Sequence, residues 1–278
     1  MEKIDLERVY PFLKGGSLKP LVIEEISDQP NHKWLRPAVI VVPGGAYAMV
    51  SEREGAVVAS RFLSEGFQTF VLTYSVARDG ASYPDQLEEL SAAIDYVKKN
   101  AEQYHVNPKE IFAMGFSAGG HLVANLAMEA PRLKKEKGLD CTLCAIGLGY
   151  PVISNHSGMG EMNSYRNIVE GHSEKEKAEL KERLSLEDKV RNDNPPAYIF
   201  ATGTDQVVPV ANSIAYASAL WKAGVACELH VFAKGDHGLS TGDKEITDFP
   251  WFGEHSEGVT HWVKECILFW RSFVKEKF

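Results

Sequence analysis

Apolar residues follow two alternating patterns along this chain. Short continuous runs rich in β-branched and aromatic residues are typical of buried parallel strands. They are separated by stretches in which apolar residues recur every three or four positions, as on one face of a helix. The runs occupy residues 38–42, 69–74, 110–113, 143–150, 197–202 and 227–232, and a further candidate strand covers 21–26. This alternation predicts an α/β fold with a mostly parallel central sheet and helices on both faces.

The helical stretches carry signals for their beginnings and ends. Pro84 is placed to open one helix. The helix that follows the strand at 110–113 is expected to end near Pro131, because proline interrupts helical hydrogen bonding. Ser51 and Glu54 are three residues apart, which predicts a capping box at the start of the next helix.

One segment, residues 154–196, interrupts the alternation. It is long and polar, and its charged centre at 173–184 has the composition of a helix surrounded by solvent. We expect a helical cap inserted between two core strands of a single domain that covers residues 1–278. Two interpretations of this cap stay open: a solvated surface element, or a lid that walls a substrate site at the carboxyl ends of the strands.

The composition is that of an ordinary globular protein with an acidic surface. The 278 residues carry a formal net charge of −8 with a pI of about 5.6, which argues against a nucleic-acid partner. No apolar run is long enough to cross a bilayer, and the charged residues at 2–7 do not resemble a signal peptide. With only four cysteines, we expect a reduced, cytoplasmic protein without a membrane partner.

A five-residue motif suggests nucleophilic chemistry. Residues 115–119 read Gly-Phe-Ser-Ala-Gly, the G-x-S-x-G pattern of a nucleophile elbow. A short predicted strand precedes the motif and a helical pattern follows it, as this sharp turn requires. Gly115 and Gly119 leave room where strand and helix nearly touch. The context predicts Ser117 as a nucleophile.

Two residues near the ends of later strands can complete a site around Ser117. A serine hydroxyl is a weak nucleophile unless a base accepts its proton and an acid orients that base. In this type of fold the acid and then the histidine follow the serine. Asp205 follows the strand at 197–202, and His237 follows the strand at 227–232. One helix separates these strands, so Ser117, Asp205 and His237 are predicted to meet at one edge of the sheet as a catalytic triad.

Other side chains compete for these roles. Asp236 is an alternative acid, although its position next to His237 makes it awkward to orient the imidazole. His121, about one turn into the helix after the elbow, is expected to be packed rather than basic. His230 lies in the middle of a strand and is expected to be structural.

The loop after the strand at 38–42 is a candidate for stabilising an oxyanion. It reads Pro-Gly-Gly-Ala-Tyr over residues 43–47, and glycines let a backbone turn its N–H groups inward. We assign the amides of Gly45 and Ala46, together with that of Ala118 at the start of the following helix, to an oxyanion hole. The alternative is a plain turn that ends the strand.

The sequence contains one weak candidate for a metal motif. Cys141 and Cys144 match C-x-x-C, but they lead into a strand, where these two side chains face opposite ways. No second pair of ligands accompanies them, and no nucleotide-binding glycine pattern follows a strand. We expect no metal and no cofactor.

These motifs resemble those of the α/β-hydrolase esterases, in particular the acetyl-xylan and feruloyl esterase-like (BD-FAE-like) branch. The resemblance runs from about residue 38 to residue 238 and rests on segments 42–47, 51–55, 115–122, 194–197, 203–205, 208–209 and 235–238. It implies an α/β-hydrolase fold, Ser117, Asp205 and His237 as triad, and hydrolysis of short acyl esters, often on sugar hydroxyls. Related lipase-like esterases carry His-Gly-Gly-Gly, where this chain has Pro43 and Ala46 in place of the histidine and the third glycine.

We therefore expect a cofactor-free serine esterase for a small-molecule ester, with acetyl esters of sugars or oligosaccharides as the main expectation. A serine peptidase of the prolyl-oligopeptidase type and a non-catalytic binding protein with the hydrolase fold are the alternatives. The aromatic residues Tyr47, Tyr150, Trp251 and Phe252 are candidate substrate contacts or, equally, core residues. The oligomeric state stays open, since the exposed half of the cap could pair with a second copy to form a homo-oligomer.

Overall fold

The computed structural model describes residues 2–24, 35–156 and 158–274. Within these ranges the strands are β1 Ile4–Asp5, β2 Ser17–Leu21, β3 Arg36–Val42, β4 Gln68–Thr73, β5 Val106–Phe116, β6 Ala145–Gly149, β7 Ala197–Thr202 and β8 Cys227–Phe232. The helices are α1 Leu6–Val9, α2 Ala56–Ser64, α3 Asp85–Lys99, α4 Ala118–Lys137, α5 Met162–Ile168, α6 Glu174–Arg183, α7 Ala211–Lys222, α8 Lys244–Thr247 and α9 Trp262–Arg271. Of the helices described, none is both long and apolar enough to cross a membrane.

All eight strands form one sheet in the order β1-β2-β4-β3-β5-β6-β7-β8. The pairs from β4 through β3 to β8 are parallel, and β2 pairs antiparallel with both β1 and β4. The predicted mostly parallel sheet is confirmed. The candidate strand at 21–26 is wrong, because β2 covers Ser17–Leu21 and residues 22–24 form no strand. Residues 25–34 lie outside the described ranges.

Alternate residues of the central strands point to opposite sides of the sheet. In β3, the Ile40 side chain belongs to a hydrophobic core that includes residues of α3, α4 and α7. Val39 and Val41 belong to a second core, which includes residues of α2 and α9. All three side chains are fully buried. The prediction of helices on both faces of the sheet is therefore also confirmed.

Helix α4 continues past Pro131 and ends only where Gly138 adopts φ 69°. The prediction that it ends near Pro131 is wrong. The proline removes one helical N–H, but Leu133 beyond it is fully buried. Arg132 also pairs with Glu136 on the following turn at 2.5 Å. The burial of Leu133 is the main contribution that favours a helix beyond Pro131, since an exposed ion pair adds little.

The cap at 154–196 connects β6 to β7 and contains α5, α6 and a 3₁₀ turn at Leu186–Lys189. α6 is a polar helix in which Leu180 is the one buried residue. α5 reaches the rest of the protein, because the side-chain amide of Asn167 donates a 2.8 Å hydrogen bond to the carbonyl of Ala46. The cap thus combines a solvated helix with a helix that touches the loop after β3.

Candidate active site

Ser117 occupies the sharp turn between β5 and α4. Its backbone has φ 51° and ψ −120°, a conformation unfavourable for a residue with a side chain. The flanking glycines make this turn possible, because a Cβ atom at Gly115 would meet the carbonyl of Gly119. A Cβ atom at Gly119 would meet the carbonyls of Val42 and Pro43. The end of β3, the turn and the start of α4 therefore approach more closely than side chains here would allow.

The structure brings the three predicted triad residues into one hydrogen-bonded row. The Oγ atom of Ser117 lies 2.8 Å from Nε2 of His237. Nδ1 of the same imidazole lies 2.7 Å from Oδ2 of Asp205. Asp205 and His237 follow β7 and β8, which are neighbours in the sheet, so the strand order sets these two residues side by side.

The surroundings of Asp205 determine which imidazole nitrogen carries a proton. Its Oδ1 atom accepts the backbone N–H groups of Val207 and Val208 at 2.8 and 2.9 Å, and its side chain is 2% exposed. A carboxylate can only accept, so the imidazole of His237 donates to it from Nδ1. Nε2 is then free to accept the hydroxyl proton of Ser117.

The loop after β3 runs directly against Ser117. A Cβ atom at Gly44 would lie 2.8 Å from the Cβ atom of Ser117. Gly45 and Ala46 have φ values of 122° and 53°, so the backbone turns sharply at this point. Among the described residues, no acceptor is paired with the N–H groups of Gly45, Ala46 and Ala118. These amides are available to a ligand oxygen, and their assignment as oxyanion donors stays a prediction.

The predicted capping box at Ser51 and Glu54 is wrong. Residues Glu52–Glu54 form a 3₁₀ turn, and the Ser51 side chain makes no capping bond. The carboxylate of Glu54 instead accepts the N–H of Gly44 and the hydroxyl of Tyr150, both at 2.8 Å. A buried carboxylate needs such donors within the protein, because water cannot reach it to donate hydrogen bonds. Neither partner can be inferred from the spacing of residues 51–54.

His121 is packed, as predicted. Its Nδ1 atom lies 2.8 Å from the hydroxyl of Tyr47, and its Nε2 atom lies 3.1 Å from the carbonyl of Leu184. Burial lowers the pKa of His121 to about 4, so the imidazole is neutral at pH 7. It donates to Leu184 and accepts from Tyr47. The ring thus connects α4 with the loop after β3 and with the cap.

The alternative acid and the imidazole in β8 have other partners. Asp236 accepts the backbone N–H of Gly253 at 2.6 Å through its Oδ2 atom. His230 lies 3.4 Å from Glu228 and 3.3 Å from Glu265, on an edge strand of the sheet. His230 thus contacts β8 and α9 and takes no part in the hydrogen-bonded row from Ser117 to Asp205.

The four candidate substrate contacts differ in exposure. Tyr47 and Tyr150 are 1% and 2% exposed, and their hydroxyl groups are bonded inside the protein. The ring of Tyr150 nevertheless packs edge-on against the imidazole of His237, with centroids 5.0 Å apart. Trp251 is 63% exposed and Phe252 is half-buried. Contact between any of these residues and a substrate stays a prediction.

Possible metal ligands are sparse in the described parts of the chain. Cys141 lies in the core on one side of the sheet, and Cys144 packs against the core on the other side, so the C-x-x-C pair does not converge. In the described ranges one group of three, His156, Glu187 and Asp188, has its ligand atoms within 4.8 Å of one another. The ion pair of 2.7 Å between His156 and Asp188 accounts for this cluster on the surface of the cap.

Comparison with known families adds independent information to this geometry. The BD-FAE family model matches residues 25–220, a segment that contains Ser117 and Asp205. The chain belongs to the BD-FAE family. His237 lies downstream of the segment matched to BD-FAE, so its place in the row rests on the geometry alone.

Two known proteins are similar in sequence to most of this chain. The chain is 31% identical to endo-1,4-beta-xylanase B of Butyrivibrio fibrisolvens over 81% of its own length. It is 30% identical to an acetylxylan esterase of Xylanibacter ruminicola over 82% of its own length. These matches cover 36% and 45% of the two relatives, so this BD-FAE chain spans less than half the length of either.

A solved structure is similar to this chain over almost its whole length. The acetyl ester-xyloside bifunctional hydrolase from Caldicellulosiruptor lactoaceticus is 28% identical, and the match covers 98% of this chain and 96% of that one. The TM-score is 0.81. The expected α/β-hydrolase fold is confirmed.

Proposed function

We propose that this protein is a serine esterase, a carboxylic-ester hydrolase that acts on short acyl esters through an acyl-enzyme. The observation that carries the proposal is the row of hydrogen bonds from Ser117 through His237 to Asp205, at 2.8 and 2.7 Å. Attack on a carbonyl requires a hydroxyl beside a nitrogen able to take its proton, with a third group orienting that base. All three groups come from this chain.

In the first step the Oγ atom of Ser117 attacks the carbonyl carbon of the ester while Nε2 of His237 accepts the hydroxyl proton. Asp205 holds the imidazole and stabilises the imidazolium that forms. The tetrahedral intermediate then expels the alcohol, which takes the proton from His237. The acyl group remains on Ser117.

The carbonyl oxygen carries negative charge in the tetrahedral intermediate. We assign its stabilisation to the N–H groups of Gly45, Ala46 and Ala118. Ala118 is the first residue of α4, where N–H groups have no helical acceptor. Water then attacks the acyl-enzyme as His237 takes its proton, and Ser117 leaves with that proton as the acid is released. Loss of one oxyanion donor typically lowers turnover by ~10²–10³.

Acetyl esters of sugars or oligosaccharides are the substrate class within this proposal. Support comes from the similar proteins, which include an acetylxylan esterase and an acetyl ester-xyloside bifunctional hydrolase. The proposed steps call on no cofactor, because the nucleophile, the base and the oxyanion donors are all groups of the chain itself.

Hydrolysis of p-nitrophenyl acetate by wild type, Ser117→Ala and Ser60→Ala tests the mechanism. Ser60 is an exposed residue of α2 whose hydroxyl bonds to the carbonyl of Val57, so its variant is a matched control. We expect wild-type rates in Ser60→Ala and a loss of about 10⁴-fold or more in Ser117→Ala. Equal rates in Ser117→Ala and wild type would overturn the assignment.

A substrate panel tests the proposed ester class. It compares acetylated xylo-oligosaccharides with feruloyl esters, longer-chain aryl esters and a peptide p-nitroanilide. The highest kcat/KM on the acetylated sugars is the expected result. A preference for the anilide would favour the peptidase alternative. Absence of labelling by a fluorophosphonate, which needs an activated serine, would favour the non-catalytic alternative.

A further inference from the structure

Glu54 is a buried acidic residue with no part in the steps described above. It ends the 3₁₀ turn between β3 and α2 and is 2% exposed. Its Oε2 atom accepts the backbone N–H of Gly44 at 2.8 Å, in the loop that carries the assigned oxyanion donors. Its Oε1 atom accepts the hydroxyl of Tyr150, also at 2.8 Å. Each oxygen of one carboxylate therefore binds a different segment beside Ser117.

Tyr150 extends this connection to the loop that contains His237. It directly follows β6, and its hydroxyl oxygen accepts the backbone N–H of Ser240 at 2.9 Å. Its ring packs edge-on against the imidazole of His237. Ser240 has φ 52°, so the hydrogen bond that its N–H donates to Tyr150 supports a backbone conformation that is unfavourable by itself.

Arg53, the residue before Glu54, bonds to the same loop. Its Nε atom donates to the carbonyl of Gly238 at 3.1 Å. The carbonyl of Arg53 accepts the hydroxyl of Ser240 at 2.7 Å. The short turn that ends at Glu54 is thus attached to the histidine loop at two further points.

We propose that Glu54 is a positioning residue that sets the oxyanion loop and the histidine loop relative to each other. The inference rests on the proposed esterase function, because both loops carry groups assigned to that reaction. With its N–H bound to Glu54, Gly44 fixes the start of the peptide run that continues into Gly45 and Ala46. Misalignment of those two amides would weaken the stabilisation of the oxyanion without removing any catalytic group.

Only a carboxylate at position 54 satisfies both donors. The hydroxyl oxygen of Tyr150 already accepts from Ser240, so its hydrogen needs Glu54 as an acceptor. A glutamine offers one acceptor oxygen and turns an NH₂ donor toward the second donor. Glu54→Gln therefore keeps the shape of the side chain and removes one of its two hydrogen bonds.

Glu89 provides a matched control. It is fully buried, and both of its oxygens accept from one residue, Ser75, whose N–H and hydroxyl lie at 2.7 and 2.6 Å. The Ser75 hydroxyl can also accept from an amide NH₂, so Glu89→Gln retains both contacts. This change neutralises a buried acid without disconnecting two loops of the candidate site.

The test measures kcat and KM for p-nitrophenyl acetate, together with thermal unfolding, in wild type and four variants. These are Glu54→Gln, Tyr150→Phe, the double variant and Glu89→Gln. We expect kcat to fall about 10- to 100-fold in each single change at Glu54 or Tyr150. KM should change by less than about 3-fold, because the aligned amides matter most in the transition state.

The double variant distinguishes positioning from two independent effects. Both changes interrupt the same connection between the two loops, so the kcat of the double variant should be no lower than that of the less active single variant. The inference would be overturned if the reductions in kcat of the two single variants multiply in the double variant. Wild-type kcat in a folded Glu54→Gln would also overturn it. The control Glu89→Gln should keep wild-type kcat. If Glu54→Gln does not fold, Tyr150→Phe decides, and wild-type kcat in that variant overturns the inference.

The same measurements separate this inference from the proposed function. Wild type no more active than Ser117→Ala would remove the esterase function, and the inference would fall with it. An active wild type with unaffected variants at Glu54 and Tyr150 would leave the esterase function in place and overturn the positioning role alone.

Discussion

The Oδ2 atom of Asp205 accepts a hydrogen bond of 2.7 Å from Nδ1 of His237. The backbone amides of Val207 and Val208 occupy its other oxygen. In Asp205→Asn these two N–H groups would stay hydrogen-bonded to the one oxygen that the asparagine side chain has, so its NH₂ group would face the imidazole. The imidazole proton would then move to Nε2, which could no longer accept the proton of Ser117. We expect kcat for p-nitrophenyl acetate to fall about 10³- to 10⁴-fold, with little change in the thermal unfolding midpoint.

Asp236→Asn is the control for this change. Asp236 is adjacent to His237 in sequence but bonds to the N–H of Gly253. An asparagine can accept the same hydrogen bond, so near wild-type kcat is expected. Comparable losses in the Asp236 and Asp205 variants would contradict the assignment of the acid.

We predict that the cap influences turnover through Asn167. Its amide donates to the carbonyl of Ala46, in the loop assigned to the oxyanion. We expect Asn167→Ala to lower kcat by about 3- to 10-fold, because one hydrogen bond that fixes this loop is lost. Asn163→Ala, at an exposed position of the same helix, should leave kcat unchanged. Steady-state kinetics with both variants would reveal the difference, and identical kcat values would refute it.

The buried imidazole of His121 predicts a pH dependence of stability. Burial lowers its pKa in the folded protein to about 4 from an ordinary value of 6.5. Between these values the folded protein binds fewer protons than the unfolded chain. The contribution of His121 to stability is therefore fully present above pH 6.5 and is lost as the pH falls to about 4. It amounts to about 3 kcal/mol.

Urea unfolding of wild type and His121→Gln between pH 4 and 7 checks this prediction. The free energy of unfolding of wild type should fall more steeply toward low pH than that of the variant. Burial raises the pKa of Glu89 to about 7, which gives an opposite slope, but Glu89 is present in both proteins and cancels in the difference. Parallel pH profiles would show that His121 does not titrate as described.

We predict that position 119, at the start of α4, tolerates no side chain larger than that of glycine. A Cβ atom there would meet the backbone carbonyls of Val42 and Pro43, which cannot rotate aside. We expect Gly119→Ala to lower the free energy of unfolding by about 3 kcal/mol or more, or to prevent folding. At Gly258 a Cβ atom would lie 3.5 Å from the ring of Phe232, an ordinary contact. Chemical denaturation should therefore place Gly258→Ala within about 0.5 kcal/mol of wild type.

The predictable part of this molecule is encoded in short stretches. The elbow around Ser117 has its strand before it and its helix after it, so neighbouring residues suffice to recognise the turn. Asp205 and His237 each follow a strand, and parallel strands end at the same edge of a sheet. Those two rules were enough to expect that the three side chains meet. Their catalytic roles stay predictions.

Glu54 illustrates what the sequence could not reveal. Its spacing from Ser51 favours a local cap, whereas its donors on Gly44 and Tyr150 lie 10 and 96 positions away. A pattern four residues long contains no information about partners at such separations. Pro131 shows the same limit, because a local rule ends the helix there while tertiary burial continues it.

The cap at 154–196 leaves the sheet after β6 and returns at β7, and no hydrogen bond of the row from serine to aspartate originates in it. It is therefore an insertion that supplies none of the three side chains of that row, although Ile168, Leu184 and Leu186 of the cap belong to the core. A redesign of its solvent-exposed helix α6 would therefore leave the positions of Ser117, His237 and Asp205 unchanged. A graft would have to preserve an amide for the carbonyl of Ala46 and a carbonyl for the imidazole of His121. It would also have to replace the hydrogen bonds that the cap makes with Tyr83 and Asn212.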